Sequence, residues 1–88
     1  MRNLTISKQF HKKLSDFLKD HKDLENKLQS VFRDLQKNPF PEKLLIHKLS
    51  GKLKNLYSCS LTYNYRIIFF FDNKNVYLVN IGSHDEIY

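Results

Sequence analysis

A single cysteine, Cys59, rules out an internal disulfide and the usual multi-cysteine zinc site. Such a chain fits a reducing compartment. No stretch approaches the ~18 apolar residues of a membrane span, and Met1-Arg2-Asn3-Leu4-Thr5-Ile6 holds no apolar run of signal-peptide length. A cytoplasmic protein without membrane association is therefore expected. Internal repeats, linkers and low-complexity tracts are also missing. The Ser50-Gly51-Lys52-Leu53-Lys54 run lacks the full glycine and lysine spacing of a P-loop, so a nucleotide-binding loop is excluded.

What is present is apolar and basic. At 88 residues the chain is near the lower limit for a core without disulfides or metal, so one domain over 1–88 is expected. Its supply of apolar residues, 41% with seven Phe and five Tyr, suffices for helices packed on a sheet. The net charge of +6 favours a polyanionic partner, because clustered Lys and Arg release counterions from a phosphate backbone. Residues 1–38 carry nine basic against five acidic residues, 39–66 five against one, and 67–88 one against three. The middle block has almost nothing to neutralise it locally, which marks it as the anion-binding region.

Phe10, Leu14, Phe17 and Leu18 recur at helical spacing behind Ser7, a ready cap, and predict a helix over about 8–20. Leu24, Leu28, Val31, Phe32 and Leu35 predict a second helix, opened by Asp23 and closed before Asn38-Pro39. Leu4-Thr5-Ile6 reads as a short first strand. The aperiodic segment from Pro39 to Gly51 is expected to lie across a sheet edge. Strands are expected at 56–62, 65–71 and 76–81, with Asp72-Asn73-Lys74-Asn75 as a hairpin turn. Ile67-Ile68-Phe69-Phe70-Phe71 is apolar on both faces, so its strand should be central. The order β-α-α-β-β-β defines an α+β domain, an antiparallel sheet packed on an N-terminal helical hairpin.

Metal-free RNA cleavage must take a proton from a ribose 2'-hydroxyl, neutralise the phosphorane and protonate the leaving 5'-oxygen. The second half of the chain offers His47, Lys48, Lys52, Lys54, Tyr63, Arg66, His84 and Tyr88 for those tasks. Arg66 alternates with Tyr65 and Ile67, so it shares a sheet face with Ile68 and Phe70 and must find an anion there. That anion is either a phosphate gripped by the guanidinium fork or a carboxylate such as Asp72, Asp85 or Glu86. His84 follows Gly82, where the chain can turn sharply, and histidine as a residue type exchanges protons near neutrality. Tyr88, four residues on, is either part of the site or frayed. His47 sits among apolar neighbours and has a packing role as its alternative. His11 and His21 fall off the apolar stripe of the first helices and are expected to be solvated, without a role. The helical lysines Lys12, Lys13, Lys19, Lys22 and Lys27 read as a solvated face. Two histidines provide too few ligands for a metal, so neither a metal nor any other cofactor is expected.

The runs His47-Lys48-Leu49-Ser50-Gly51-Lys52-Leu53-Lys54-Asn55-Leu56-Tyr57-Ser58, Tyr63-Asn64-Tyr65-Arg66-Ile67-Ile68-Phe69 and Asn80-Ile81-Gly82-Ser83-His84-Asp85-Glu86-Ile87-Tyr88 together resemble the RelE/YoeB/YafQ toxin group. The opening strand and Ser7-Lys8-Gln9-Phe10 extend the likeness to the whole chain. The resemblance implies a RelE-like fold and an mRNA interferase: a toxin that enters the ribosome, cuts mRNA by 2'-hydroxyl attack without a metal, and is silenced by a cognate antitoxin. It assigns catalysis to Arg66, to His84 in the Gly-x-His motif, to the terminal aromatic Tyr88 and to His47 before Leu-x-Gly. His47 then acts as general base, Arg66 stabilises the phosphorane and His84 is the general acid, though the two histidines could exchange roles. Lys48, Lys52, Lys54 and Tyr63 would contact RNA. The YafQ branch carries a further histidine and an aspartate where this chain has Ser60 and Asn64, and those two roles do not transfer. In the YoeB branch a glutamate occupies the region of His47, while Arg66 is the YoeB-like feature. A ParE-like gyrase inhibitor of the same fold, without a nuclease centre, is the alternative, and a plain RNA-binding module a third reading. An acidic antitoxin segment is expected across the basic block 43–66.

Overall fold

The computed structural model describes residues 1–53 and 55–87. Its elements are β1 (Asn3–Ile6), α1 (Lys8–Asp20), α2 (Glu25–Leu35), β2 (His47–Lys48), β3 (Tyr57–Ser60), β4 (Tyr65–Phe71), β5 (Asn75–Ser83) and α3 (His84–Ile87). The five strands form one sheet in the order β1-β5-β4-β3-β2. The expected α+β order holds, with β4 central. The sheet is mixed rather than purely antiparallel, because β1 runs parallel to β5 with Leu4 opposite Val76 and Ile6 opposite Leu78. The aperiodic segment does reach the sheet edge, where His47 and Lys48 pair with Ser58 and Tyr57.

Local chemistry explains the helix that matches its prediction best. Ser7 is extended and its side chain accepts the Phe10 amide, satisfying a donor that the first turn cannot. Phe10 and Phe17 then bury one face of α1. The start of α2 differs from expectation. Asp23 lies in a 3₁₀ turn at 22–24, and Leu24 precedes α2 with no side-chain cap. Backbone bonds supply the turn instead, the Leu24 amide donating to the His21 carbonyl.

The core lies between the helical hairpin and one face of the sheet. Phe10, Phe17, Leu28, Val31 and Leu35 from the helices meet Cys59, Ile67, Phe69, Val76, Leu78 and Ile81 from β3, β4 and β5. Alternation along β4 therefore sends Arg66, Ile68 and Phe70 to the opposite face, which no helix of the hairpin covers. Burial pushes the Cys59 thiol up to about 12, against the opposing influences of the Arg66 charge and the Ile67 amide, so the thiol stays protonated.

Two buried charges join distant segments. Arg2, 8% exposed, donates from Nε to the Asp72 carbonyl (2.9 Å) and from Nη1 to the Lys37 carbonyl (3.2 Å), with its guanidinium over the Phe40 and Phe71 rings. Asp34 on α2 pairs with Lys37 at 3.0 Å and with Lys43 at 3.2 Å. The Lys37 hydrogen bond is the main reason its carboxyl lies below the usual carboxylate range; burial opposes that shift and Lys43 adds to it. A depressed folded-state pKa contributes stability above the unfolded value of ~3.9, and that contribution is lost as pH falls through the folded value. Melting temperature should therefore fall on acidification below about pH 4. Asp34→Asn should melt lower at neutral pH, by about 1–2 kcal/mol, and show a shallower acid slope. Parallel slopes for the two proteins in a pH series of thermal melts would remove Asp34 from the account.

Candidate active site

The face of the sheet away from the helical hairpin carries the candidate residues because of register. Across β3, β4 and β5, Ser60, Arg66 and Gly82 are aligned, and one step along, Ser58 and Ile68 are aligned. Arg66 is half-buried in this row. Gly82 beside it supports α3: a Cβ there would come within 3.2 Å of Glu86 Oε1 and 3.3 Å of Ile87 Cγ2.

Helix α3 is not among the predicted elements, although its signal is in the sequence. Ser83 and Glu86 form a capping box. The Ser83 amide donates to Glu86 Oε1 at 2.8 Å, and the Glu86 amide donates to Ser83 Oγ at 3.3 Å. This reciprocal pair places His84 at the first helical position, directly off the end of β5. The Ser83 amide also holds the Glu86 carboxyl below its usual range. His84 Nδ1 lies 3.7 Å from Asp85 Oδ1.

On the other side, strand β3 ends at Ser60, two residues earlier than predicted, in a tight turn. The Leu61 and Thr62 amides both donate to the Tyr65 carbonyl, Ser60 Oγ donates to the Thr62 carbonyl, and the Asn64 amide donates to Thr62 Oγ1. Tyr63 stands at the tip, fully exposed. Between this turn and α3 runs an open groove of about 670 Å³, lined by Leu45, Ser60, Tyr63, Asn64, Tyr65, Arg66, Ser83, His84 and Asp85.

Arg66 is the cation of that groove. Its Nη1 donates to Ser58 Oγ over 3.4 Å, a weak bond, and among the described residues no carboxylate lies within 4.0 Å of its guanidinium. Of the three carboxylates weighed as its partner, Asp72 and Glu86 are held elsewhere, and Asp85 lines the same groove without coming within 4.0 Å of the guanidinium. Asp72 accepts the Lys74 and Asn75 amides and the Tyr77 hydroxyl, Glu86 is tied to Ser83, and Asp85 faces His84. The bonds from Lys74 and Asn75 hold the Asp72 carboxyl below its usual range.

The structure thus brings together Tyr63, Arg66 and His84. His47 is exposed on the edge strand opposite Ser58, on the same face but outside the groove lining. Two strand spacings and a two-residue step separate its Cα from that of Arg66, about 12 Å. Lys48 is exposed beside it, and Lys52 is exposed in the 3₁₀ turn at 51–53. Lys54 and Tyr88 lie outside the described residues. Ser60 and Asn64, where this chain departs from the pattern it resembles, both line the groove, so the departure falls at the site itself.

One expectation is corrected. His21 is not a solvated residue: it is half-buried, stacked on Phe17 at 4.4 Å and tilted against Tyr65 at 4.6 Å. The ring braces the start of β4 from the helix side, next to Arg66. Its spacing to Phe17, one helical turn, was the available signal. A smaller hollow of about 380 Å³ beyond it is lined by Asp16, Asp20 and Glu86 as well as Lys13. Three carboxylates make it a poor seat for a polyanion, whereas one carboxylate, Asp85, lines the Arg66 groove. Among the described residues no three His, Cys, Asp or Glu side chains are grouped to hold a metal ion.

Comparison with known proteins agrees over the whole chain. The family model of YafQ, a bacterial toxin of type II toxin-antitoxin systems, matches residues 2–88. The crystal structure of YafQ from E. coli strain BL21(DE3) superposes with a TM-score of 0.84 at 23% identity, covering 100% of this chain and 99% of that one. YafQ in the E. coli DinJ-YafQ complex gives 0.82 at 26% identity over 100% and 99%. A metal-bound toxin from Helicobacter pylori gives 0.83 at 30% identity over 100% of both chains. No curated protein sequence matches this chain.

Proposed function

The chain belongs to the YafQ family of type II toxin-antitoxin toxins, and on that premise we propose that it is an mRNA interferase, a metal-independent endoribonuclease that cuts messages on the ribosome. The observation that carries this reading is Arg66: a half-buried guanidinium without a carboxylate partner among the described residues, in a groove it shares with His84. An arginine so placed is set for a phosphate, whose pair of non-bridging oxygens matches its planar fork.

In the proposed reaction the scissile phosphate sits against Arg66. Negative charge grows on its equatorial oxygens as the ribose 2'-oxygen attacks, and the guanidinium offsets that charge. His84, on the rigid N-terminus of α3, exchanges a proton with one of the two reacting oxygens, and His47, farther along the face, exchanges one with the other. Exposed Lys52 adds positive charge beyond β2, and Lys48, which alternation turns to the other face beside Tyr57, contributes to the RNA field from the sheet edge. Lys54 and Tyr88 keep their assignments from the resemblance, as RNA contact and as part of the catalytic set.

We further propose a cognate antitoxin as protein partner, supported by the complex that E. coli YafQ forms with DinJ. Its inhibitory segment would be acidic, matching the basic block at 43–66. Action on cytoplasmic ribosomes fits a chain in which no helix among the described residues is long and apolar enough to cross a membrane.

The test is primer extension on a translated message after brief expression of the wild type and of His84→Ala. New cuts inside codons, present only while the message is translated and about 10²-fold weaker in the variant, are expected. Growth arrest without cuts in either sample would reject the nuclease and favour gyrase inhibition.

A further inference from the structure

Of the five large apolar side chains that are exposed among the described residues, two, Leu45 and Tyr63, line the Arg66 groove. Tyr63 is 100% exposed, and among the described residues its ring meets no other ring. Burial cannot explain an aromatic at the tip of a turn whose own backbone is pinned by the bonds from Ser60, Leu61, Thr62 and Asn64. Such a turn presents the ring at little further cost in entropy on binding.

Leu45 is the second anomaly. It is 58% exposed and adopts a left-handed conformation, φ 50° and ψ 54°, which a leucine side chain disfavours. Its amide bond to the Glu42 carbonyl closes the preceding 3₁₀ turn and holds it there. Glycine or asparagine would take this backbone more readily, so the side chain is retained against local preference.

A phosphate seat that shares its groove with two exposed apolar side chains has the chemistry of a nucleotide site. Nucleobases present flat π faces to stack on and carry their phosphate only a few bonds away. We infer that Tyr63 stacks on a base flanking the phosphate held by Arg66, with Leu45, a second apolar residue of the groove lining, packing against the same nucleotide. These two residues thereby position the message and bias which bonds are cut. The inference rests on the ribonuclease reading and narrows the expected RNA contact of Tyr63 to a base stack, with Leu45 beside it.

The experiment is primer extension on the same translated message with wild type, Tyr63→Ala, Tyr63→Phe, Tyr63→Trp and Leu45→Gly, each with a thermal melt of the purified protein. Tyr63→Ala should lose about tenfold or more of cutting at wild-type sites with an unchanged melting temperature, and Phe and Trp should restore it. Leu45→Gly should cut less while melting at the same or a higher temperature, since glycine relieves the backbone. Wild-type cutting by Tyr63→Ala would overturn the stacking role and leave the ribonuclease standing. A loss that neither Phe nor Trp restores would overturn it as well, pointing to the hydroxyl. Undiminished cutting by Leu45→Gly would remove Leu45 from the site. A wild type that cuts nothing would bring down the ribonuclease reading and this one together.

Discussion

Replacing Arg66 by alanine should lower message cutting by about 10³-fold while leaving the fold intact. The size follows from what the guanidinium faces. Phosphoryl transfer through a pentavalent state puts charge on oxygens that water would otherwise solvate, and in this groove Arg66 is the lining cation placed to meet it. The loss should appear in the rate of the chemical step more than in association, because exposed Lys48 and Lys52 still attract the backbone. Stability should change by less than about 1 kcal/mol, since the side chain is half-buried and makes one long bond to Ser58. Arg66→Lys keeps the charge but loses the fork, and should recover only part of the activity. A cleavage time course with all three proteins at matched, melt-verified concentrations decides the matter. Equal rates for wild type and Arg66→Ala would move the phosphate seat elsewhere on the molecule.

The sheet face that Arg66 occupies was legible because alternation in a strand is a local property. One apolar run from Ile67 to Phe71 places β4 at the centre of the sheet, and the period of two then assigns Arg66 a face. Helix α1 was legible for the same reason: Ser7, Phe10 and Phe17 act on each other within four turns. What escaped depends on contacts across the chain or on competing local signals. His21 looks like a polar residue off the helical stripe until Tyr65, 44 positions later, packs against it. Asp23 has the chemistry of a cap, but the backbone made a 3₁₀ turn there and moved the helix start to Glu25. The parallel pairing of β1 with β5 joins residues more than 70 positions apart and leaves no local trace. Leu45 joins the groove only through a left-handed turn that its residue type argues against. The capping box of α3 is different, since Ser83 and Glu86 are spaced as such a box requires, and the signal was present but outweighed by the pattern of the preceding strand.

The largest effect on stability is expected at Arg2, which no sequence period singles out. Its guanidinium closes the bottom of the molecule by linking three segments: the chain end before β1, the Lys37 carbonyl beyond α2, and the Asp72 carbonyl at the β4–β5 turn. Its backbone amide donates to the Gln36 carbonyl at 2.9 Å, and its carbonyl accepts from Gln36 Nε2 at 3.2 Å. The positive charge thus sits where the C-terminal carbonyls of α2 concentrate negative potential. Phe40 and Phe71 flank it at 4.7 and 5.0 Å, adding a cation-π contribution in a shielded place. Arg2→Ala removes two charge-assisted bonds, strands two partly buried carbonyls and opens a gap between the rings. The expected cost is about 3 kcal/mol, which for a domain of this size is a fall of roughly 12–20 °C in melting temperature. Arg2→Lys retains the charge and can satisfy one carbonyl, so it should recover part of the loss. Both carbonyls lie far from the groove, and each variant should cut messages at the wild-type rate well below its own melting point. A fall of less than about 3 °C for Arg2→Ala in a differential scanning experiment would show that the surrounding backbone holds without the guanidinium. A cutting defect at temperatures where Arg2→Ala is fully folded would instead mean that the β4–β5 turn and the groove are coupled through the length of β4.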